Sequence, residues 1–370
     1  MRSVKRNQRR SSVVPMLECL ENRDCPSVTS VLNGSLLTIT GDNAGDTISI
    51  HATAANQFQV ALGGTTKSFS GVQTIDLNEG NGTDHINIDL SKSPSETINI
   101  KGGTGNDMVK ISLGNVADHA TFNLNANLGS GNDQLTLNAK QIGMGATINA
   151  DVNAGNGNDH VRVGLGKILA DATLNLNTML GNGNDSVSLG AASAGANEKL
   201  TANVQAGNGN NHVDVDLAGL GKNGTETINV TTGNGNNQVD IALGHLHQGA
   251  SATVGVHTGK GNDHVGVHAG KIDAGAMLKQ TIDTGAGNDR VRLDLGPVDP
   301  SGHVQSDIKL GAGNDHLTID AHGPIAKTTD VHITADAGAG KNTVTLLGQA
   351  ESLLDNHLLD LTGFTKPLHA

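Results

Sequence analysis

GGTGNDMVKISLG, Gly102 to Gly114, decides the fold, because the chain keeps returning to it. Its Gly-x-Gly-Asn-Asp turn starts at Gly103 and recurs at Gly129, Gly155, Gly181, Gly207, Gly233, Gly259, Gly285 and Gly311. All eight intervals are 26 residues, without one insertion. Looser copies flank the series at Gly80 (GNGTD) and Gly338 (GAGKN). A fixed period between about 20 and 50 residues marks a solenoid or array. A chain of 370 residues would ordinarily make two or three domains, but stacked repeats form one body in which each unit touches only its neighbours.

Columns 26 residues apart show which way side chains point. After the turn one column runs Val109, Leu135, Val161, Val187, Val213 and on to Leu317, and two residues later another runs Ile111, Leu137, Val163, Leu189 to Ile319. Polar residues such as Lys110, Thr136 and Arg162 lie between them. Period-two alternation with β-branched residues on one side is a half-buried strand. A second strand follows in each unit, with Ala146, Ile148, Ala150 and Val152 facing one way. A further apolar column, including Val116, Ile142, Ile168 and Val298, reads as an inward corner or a short third side. Helix is excluded by the spacing and by Gly and Asn in every unit. The expected fold is all-β, a right-handed parallel β-solenoid with 26-residue coils. At about 4.8 Å per coil, eleven turns would make a rod of roughly 50 Å.

Composition fits this. There are 50 glycines, no Trp or Tyr, and only 1 % aromatics, which suits a thin core between flat layers better than a globular one. Net charge is −12 although Arg2, Lys5, Arg6, Arg9 and Arg10 crowd the start, so the body is more acidic than the total. An acidic body without stacking aromatics is a poor nucleic-acid binder and a natural partner of cations. No apolar run is long enough for a membrane-spanning helix.

The chain divides into a basic N-terminal sorting or disordered segment (1–27), a β-rich cap (28–78), the solenoid (79–347) and a C-terminal cap or tail (348–370). Pro15, Glu18 and Glu21 interrupt any signal-peptide apolar segment. Leu17-Glu18-x-Leu20-Glu21-x-Arg23-x-x-Pro26-Ser27 resembles a short signature at the start of exported and surface proteins of planctomycete bacteria, which implies an extracellular or cell-surface location. Cys19 and Cys25 have no accompanying ligand set for a metal. Leu353, Leu354, Leu358, Leu359 and Leu361 suit either a short amphipathic helix or a last strand over the open end.

Residues of equal phase should stack. The asparagines from Asn106 to Asn314 then form a hydrogen-bonding ladder. The next column is acidic: Asp84, Asp107, Asp133, Asp159, Asp185, Asp263, Asp289 and Asp315, broken by Asn211 and Asn237. Carboxylates at about 4.8 Å repel by about 0.9 kcal/mol per neighbouring pair in water, and by more when desolvated. Calcium would offset this, since it takes six to eight oxygens from carboxylates and carbonyls. Alternatively each Asp simply accepts hydrogen bonds from turn amides.

Gly102-Gly103-Thr104-Gly105-Asn106-Asp107-Met108-Val109-Lys110 resembles the G-G-x-G-x-D-x-U-x nonapeptide of hemolysin-type (repeats-in-toxin) proteins. The resemblance implies a parallel β-roll folded on calcium, with Asp107 and its counterparts as ligands. It adds the carbonyls of adjoining glycines, namely Gly103 and Gly105, Gly129 and Gly131, and Gly155 and Gly157. The chain departs from that family in several ways. The first glycine is often replaced (Leu128, Ala154, Thr232), and the nonapeptide comes once per 26 residues instead of in tandem, so only one edge would carry ions.

His160, His212, His264 and His316 fall on alternate coils, about 9.6 Å apart, too far to share a metal, and together with His85 they read as a solvated face. Outward Thr121, Thr147 and Thr173 suggest an ice-binding face, but Lys199, Met277 and His303 break the column. An enzyme needs different residues to converge, whereas translation along a rod supplies the same residue repeatedly, so none is expected. Two functions remain: an exported structural protein stabilised by calcium, or a metal-independent scaffold for adhesion or for protein or glycan interaction.

Overall fold

The computed structural model of the chain describes residues 28–325, 329–355, 358–365 and 368–369, so the Leu17–Ser27 resemblance lies outside it. Each coil contains two strands joined by two corners. Thr147–Asn153 is followed by the glycine corner, then by His160–Ile168, then by the opposite corner and Thr173–Gly181. Strands of the first kind pair in parallel one coil apart, with Ile148 beside both Phe122 and Leu174. Strands of the second kind do the same, with Val161 beside Leu135 and Val187. The result is a parallel β-solenoid of about 11 coils, built from one 14-stranded and one 15-stranded sheet.

The alternation in the sequence decides which side chains meet between the sheets. Ile148, Ala150 and Val152 enter from one strand, Val161, Val163, Leu165 and Ile168 from the other, and all are buried. Burying each of the larger ones contributes roughly 1.5–3 kcal/mol, so packing within and between coils carries the stability. The column containing Ile142, Ile272 and Val298 makes no separate third sheet. It forms the inward end of the second sheet and continues as single bridges at Leu246–Ile272 and Ile272–Val298.

Antiparallel strands cover the first coil. Thr29–Asn33 pairs with Leu36–Thr40, and Gln57–Leu62 and Thr65–Ser70 extend from Thr47–Ala54. Such pairing shields a parallel edge that would otherwise recruit another chain. At the far end both alternatives occur: a helix, Ala350–Asp355, with Ala350 and Leu353 buried, and then a strand, Leu359–Thr362, on Asp330–Asp336. No helix among the described residues is long and apolar enough to cross a membrane.

The glycine corner is tight enough to dictate its residue. The second glycine of each turn, from Gly105 to Gly340, has φ between 134 and 157°, outside the range of ordinary side chains. A Cβ on Gly157 would also lie 1.4 Å from the Gly131 carbonyl oxygen of the coil before. Gly190, within a strand, has its nearest obstacle at 3.8 Å. Gly157→Ala is therefore expected to cost at least about 3 kcal/mol by denaturant unfolding, while Gly190→Ala stays within about 1 kcal/mol of the parent. Equal effects of the two would contradict this reading of the corner.

Candidate metal centre

Two hydrogen-bond ladders of opposite sense run along the glycine corner. On the outside, each Asn accepts from the coil that follows: the Asn158 N–H donates to Asn132 Oδ1 at 2.8 Å, and the pattern runs from Asn106 to Asn314. On the inside, each N–H donates to the acidic side chain of the coil that follows. The Asp133 N–H donates to Asp159 Oδ1 at 2.8 Å, and the Asp159 N–H donates to Asp185 Oδ1 at 2.9 Å. This inner ladder is continuous from Asp46 through Asn342, with Asn211 and Asn237 as rungs. Between them the ladders satisfy backbone donors that a sharp corner would otherwise leave without partners.

Asp84, Asp107, Asp133, Asp159, Asp185, Asp263, Asp289 and Asp315 thus share one column, with side chains pointing into the body and no residue more than 2 % exposed. Their Oδ1 atoms are occupied by the ladder. Their Oδ2 atoms are buried and, among the described residues, have no hydrogen-bond partner.

The Asn rungs show what surrounds that second oxygen. Asn211 Nδ2 donates to the carbonyls of Gly207 (3.0 Å) and Gly209 (3.3 Å), the two glycines of its own turn. Asn237 does the same with Gly233 (3.2 Å) and Gly235 (3.0 Å). At the last corner Asn342 Nδ2 reaches Ala337 and Gly338. By analogy with these Asn rungs, an Asp in the same repeated position would put a carboxylate oxygen in place of the amide donor, opposite the same pair of carbonyls. Gly129 and Gly131 lie in this relation to Asp133, as do Gly155 and Gly157 to Asp159 and Gly103 and Gly105 to Asp107. Oxygen then meets oxygen with no hydrogen between, an arrangement that needs either a proton or a hard cation.

The electrostatics agree. Burial raises the pKa values along the column, pushing Asp133 up to about 7 and Asp84, Asp185 and Asp289 up to about 6, with neighbouring carboxylates adding to the effect. Asp107, Asp159 and Asp315 are raised for the same first reason, burial. The donor set fits calcium, which binds carboxylate and carbonyl oxygens, and it suits zinc poorly, since no Cys or His contributes.

His85, His160, His212 and His264 are exposed and His316 is half-buried at the start of the second-sheet strands. Two other groups of ligand-type residues approach one another, His245–His247–Asp273 and Asp294–Asp320–His322. Each already holds a cation of the chain: Lys271 Nζ is 3.0 Å from Asp273, and Arg292 is 2.8 Å from Asp294 and 3.0 Å from Asp320.

Sequence reasoning missed several buried acids. Glu79 lies in the interior beside the first glycine turn, and Glu226 interrupts an inward column between Leu200 and Ala252. Glu198, at the opposite corner, accepts from the Gly221 N–H at 2.9 Å. A charged residue at an inward phase of the repeat was the available signal. Comparison with protein-family models, curated proteins and solved structures finds no match.

Two outcomes are expected in metal-free solution. Asp159→Asn should raise stability by about 1–3 kcal/mol, because the amide supplies the donor that the carboxylate lacks. The raised acids hold protons more tightly in the folded chain than in the unfolded one. Between the ordinary carboxylate value of 3.8 and the raised folded values near 6 to 7, the folded state carries the extra protons. Stability therefore falls as pH rises through that window. Metal-free protein should melt higher at pH 5 than at pH 8, and a melting temperature that climbs with pH would refute the assignment.

Proposed function

We propose that the chain is a non-enzymatic, exported or cell-surface structural solenoid whose glycine corner is stabilised by bound calcium. One observation carries this reading: eight buried Asp Oδ2 atoms lack any donor at a place where Asn rungs supply one to two glycine carbonyls. Asp84, Asp107, Asp133, Asp159, Asp185, Asp263, Asp289 and Asp315 would hold the ions together with carbonyls of the Gly-x-Gly turns. Calcium would supply positive charge to a line of acids and pull successive coils together. The nonapeptide resemblance supports the same choice of metal, and the resemblance of Leu17–Ser27 supports export.

A structural role also follows from the repetition. Successive coils present the same groups at the same place, which favours a rigid rod over a site where unlike residues converge. The three Asn rungs favour a second reading, a metal-independent scaffold for adhesion or for protein or glycan contacts, because they complete the corner without an ion. In that reading the acids are protonated instead.

Thermal melting of the full chain at pH 7.5, in millimolar calcium and in chelator, separates the two. Each ion bound at about a hundred times its dissociation constant adds about 2.7 kcal/mol, so several ions should raise the melting temperature by well over 10 °C. Acidification should then destabilise the calcium form, opposite to its effect on metal-free protein, because protons compete for the same oxygens. Identical melting with and without calcium would leave the metal-independent scaffold.

A further inference from the structure

The Gly80 corner differs from all those after it. The position before its first glycine is an interior one, occupied in later coils by Leu128, Ala154, Leu180, Thr258 and Leu310, all fully buried. At the Gly80 corner it holds Glu79, which is 0 % exposed. The following coil has Gly102 at this register, which places no side chain of its own beside Glu79. Neither carboxylate oxygen of Glu79 has a hydrogen-bond partner among the described residues, and the Oδ2 atoms of Asp84 and Asp107 share that condition. One carboxylate oxygen from each of the three residues lies within 4.8 Å of the others.

Three acids therefore converge in the interior with four oxygens unsatisfied, whereas each other Asp rung has one such oxygen. Burying unpaired carboxylates is costly, and replacing an interior Leu by Glu adds to that cost unless something neutralises the group. Burial, then the charges of Asp107 and Asp84, push Glu79 up to about 8. A proton on each acid would also remove the charge. A small divalent cation with a preference for oxygen satisfies all three at once.

We propose that Glu79, Asp84 and Asp107 form a three-carboxylate calcium site that is the tightest on the solenoid. It rests on the calcium reading of the corner, since it shares Asp84 and Asp107 with that column, and it adds Glu79 as a ligand that the nonapeptide does not contain. The site ties the first glycine turn to the second, where the repeat interval is 23 residues instead of 26. Calcium there would fix the register from which the regular coils continue.

The test is calorimetric titration of calcium chloride into metal-stripped full-length chain, as wild type, Glu79→Leu and Glu79→Gln. Wild type should take up one ion at least ten-fold more tightly than the rest, and both variants should lose that ion while keeping the weaker ones. In chelator, Glu79→Leu should melt above wild type, because Leu is the residue found at this register in three other coils. In calcium the order should reverse. Survival of the tight ion in both variants would overturn the site and leave the calcium corner standing. A single ion in wild type, lost in both variants, would support the site and overturn the wider corner. No uptake by wild type would overturn both. Equal destabilisation of the variants with and without calcium would assign Glu79 a packing role and also overturn the site.

Discussion

Everything in this solenoid depends on one bond repeated along its inner corner, from a backbone N–H in one coil to the acidic or amide side chain in the next. The bond runs at 2.8 Å from Asp133 to Asp159 and at 2.9 Å from Asp159 to Asp185. It requires the rungs to be in register, the side chain to point inward, and the turn to be narrow enough for the two coils to touch. An insertion in the corner would remove a rung and leave buried donors without acceptors. The eight unbroken 26-residue intervals follow from that constraint, as do glycines at positions where a Cβ would strike the neighbouring coil's carbonyl.

The same bond creates the chemistry of the corner. It uses one oxygen of each carboxylate and leaves the other among acceptors. An amide in this place is self-sufficient, since its nitrogen faces the two glycine carbonyls that the carboxylate oxygen cannot engage. Asp and Asn are therefore alternative ways to fill one pocket, the first dependent on a proton or ion and the second on neither. The central rungs Asn211 and Asn237 separate two acidic runs, which also limits the like-charge repulsion along the line.

Much of this was legible from residue spacing. The period identified the solenoid, the alternation of Val161, Arg162 and Val163 assigned in and out, and the Asp column could be expected to stack because its members share a phase. The Asn ladder was also foreseeable. The direction of the ladders was not, because either sense satisfies the same residue pattern, and only the backbone geometry of the turn decides that the Asp chains reach back and the Asn chains forward. The degree of burial was equally hidden: a turn rich in Gly, Asn and Asp reads as exposed, yet its acids lie inside. Glu79 directly precedes Gly80, as Leu128 precedes Gly129, but the 23-residue interval to Gly103 takes it off the 26-residue columns, so only its place beside the glycine turn marks it as inward. Glu226 stands in phase, in a column otherwise filled by Leu200, Ala252 and Leu278, so its inward position can be read from the period.

The most direct measurement is a crystal structure grown in calcium, with anomalous differences used to locate the ions. Peaks should lie against the second carboxylate oxygens of Asp133, Asp159, Asp263 and Asp289, and the Asn211 and Asn237 turns should be empty, their amides still on the glycine carbonyls. Carboxylates without neighbouring peaks, or peaks spread equally over Asp and Asn turns, would contradict a metal-dependent corner.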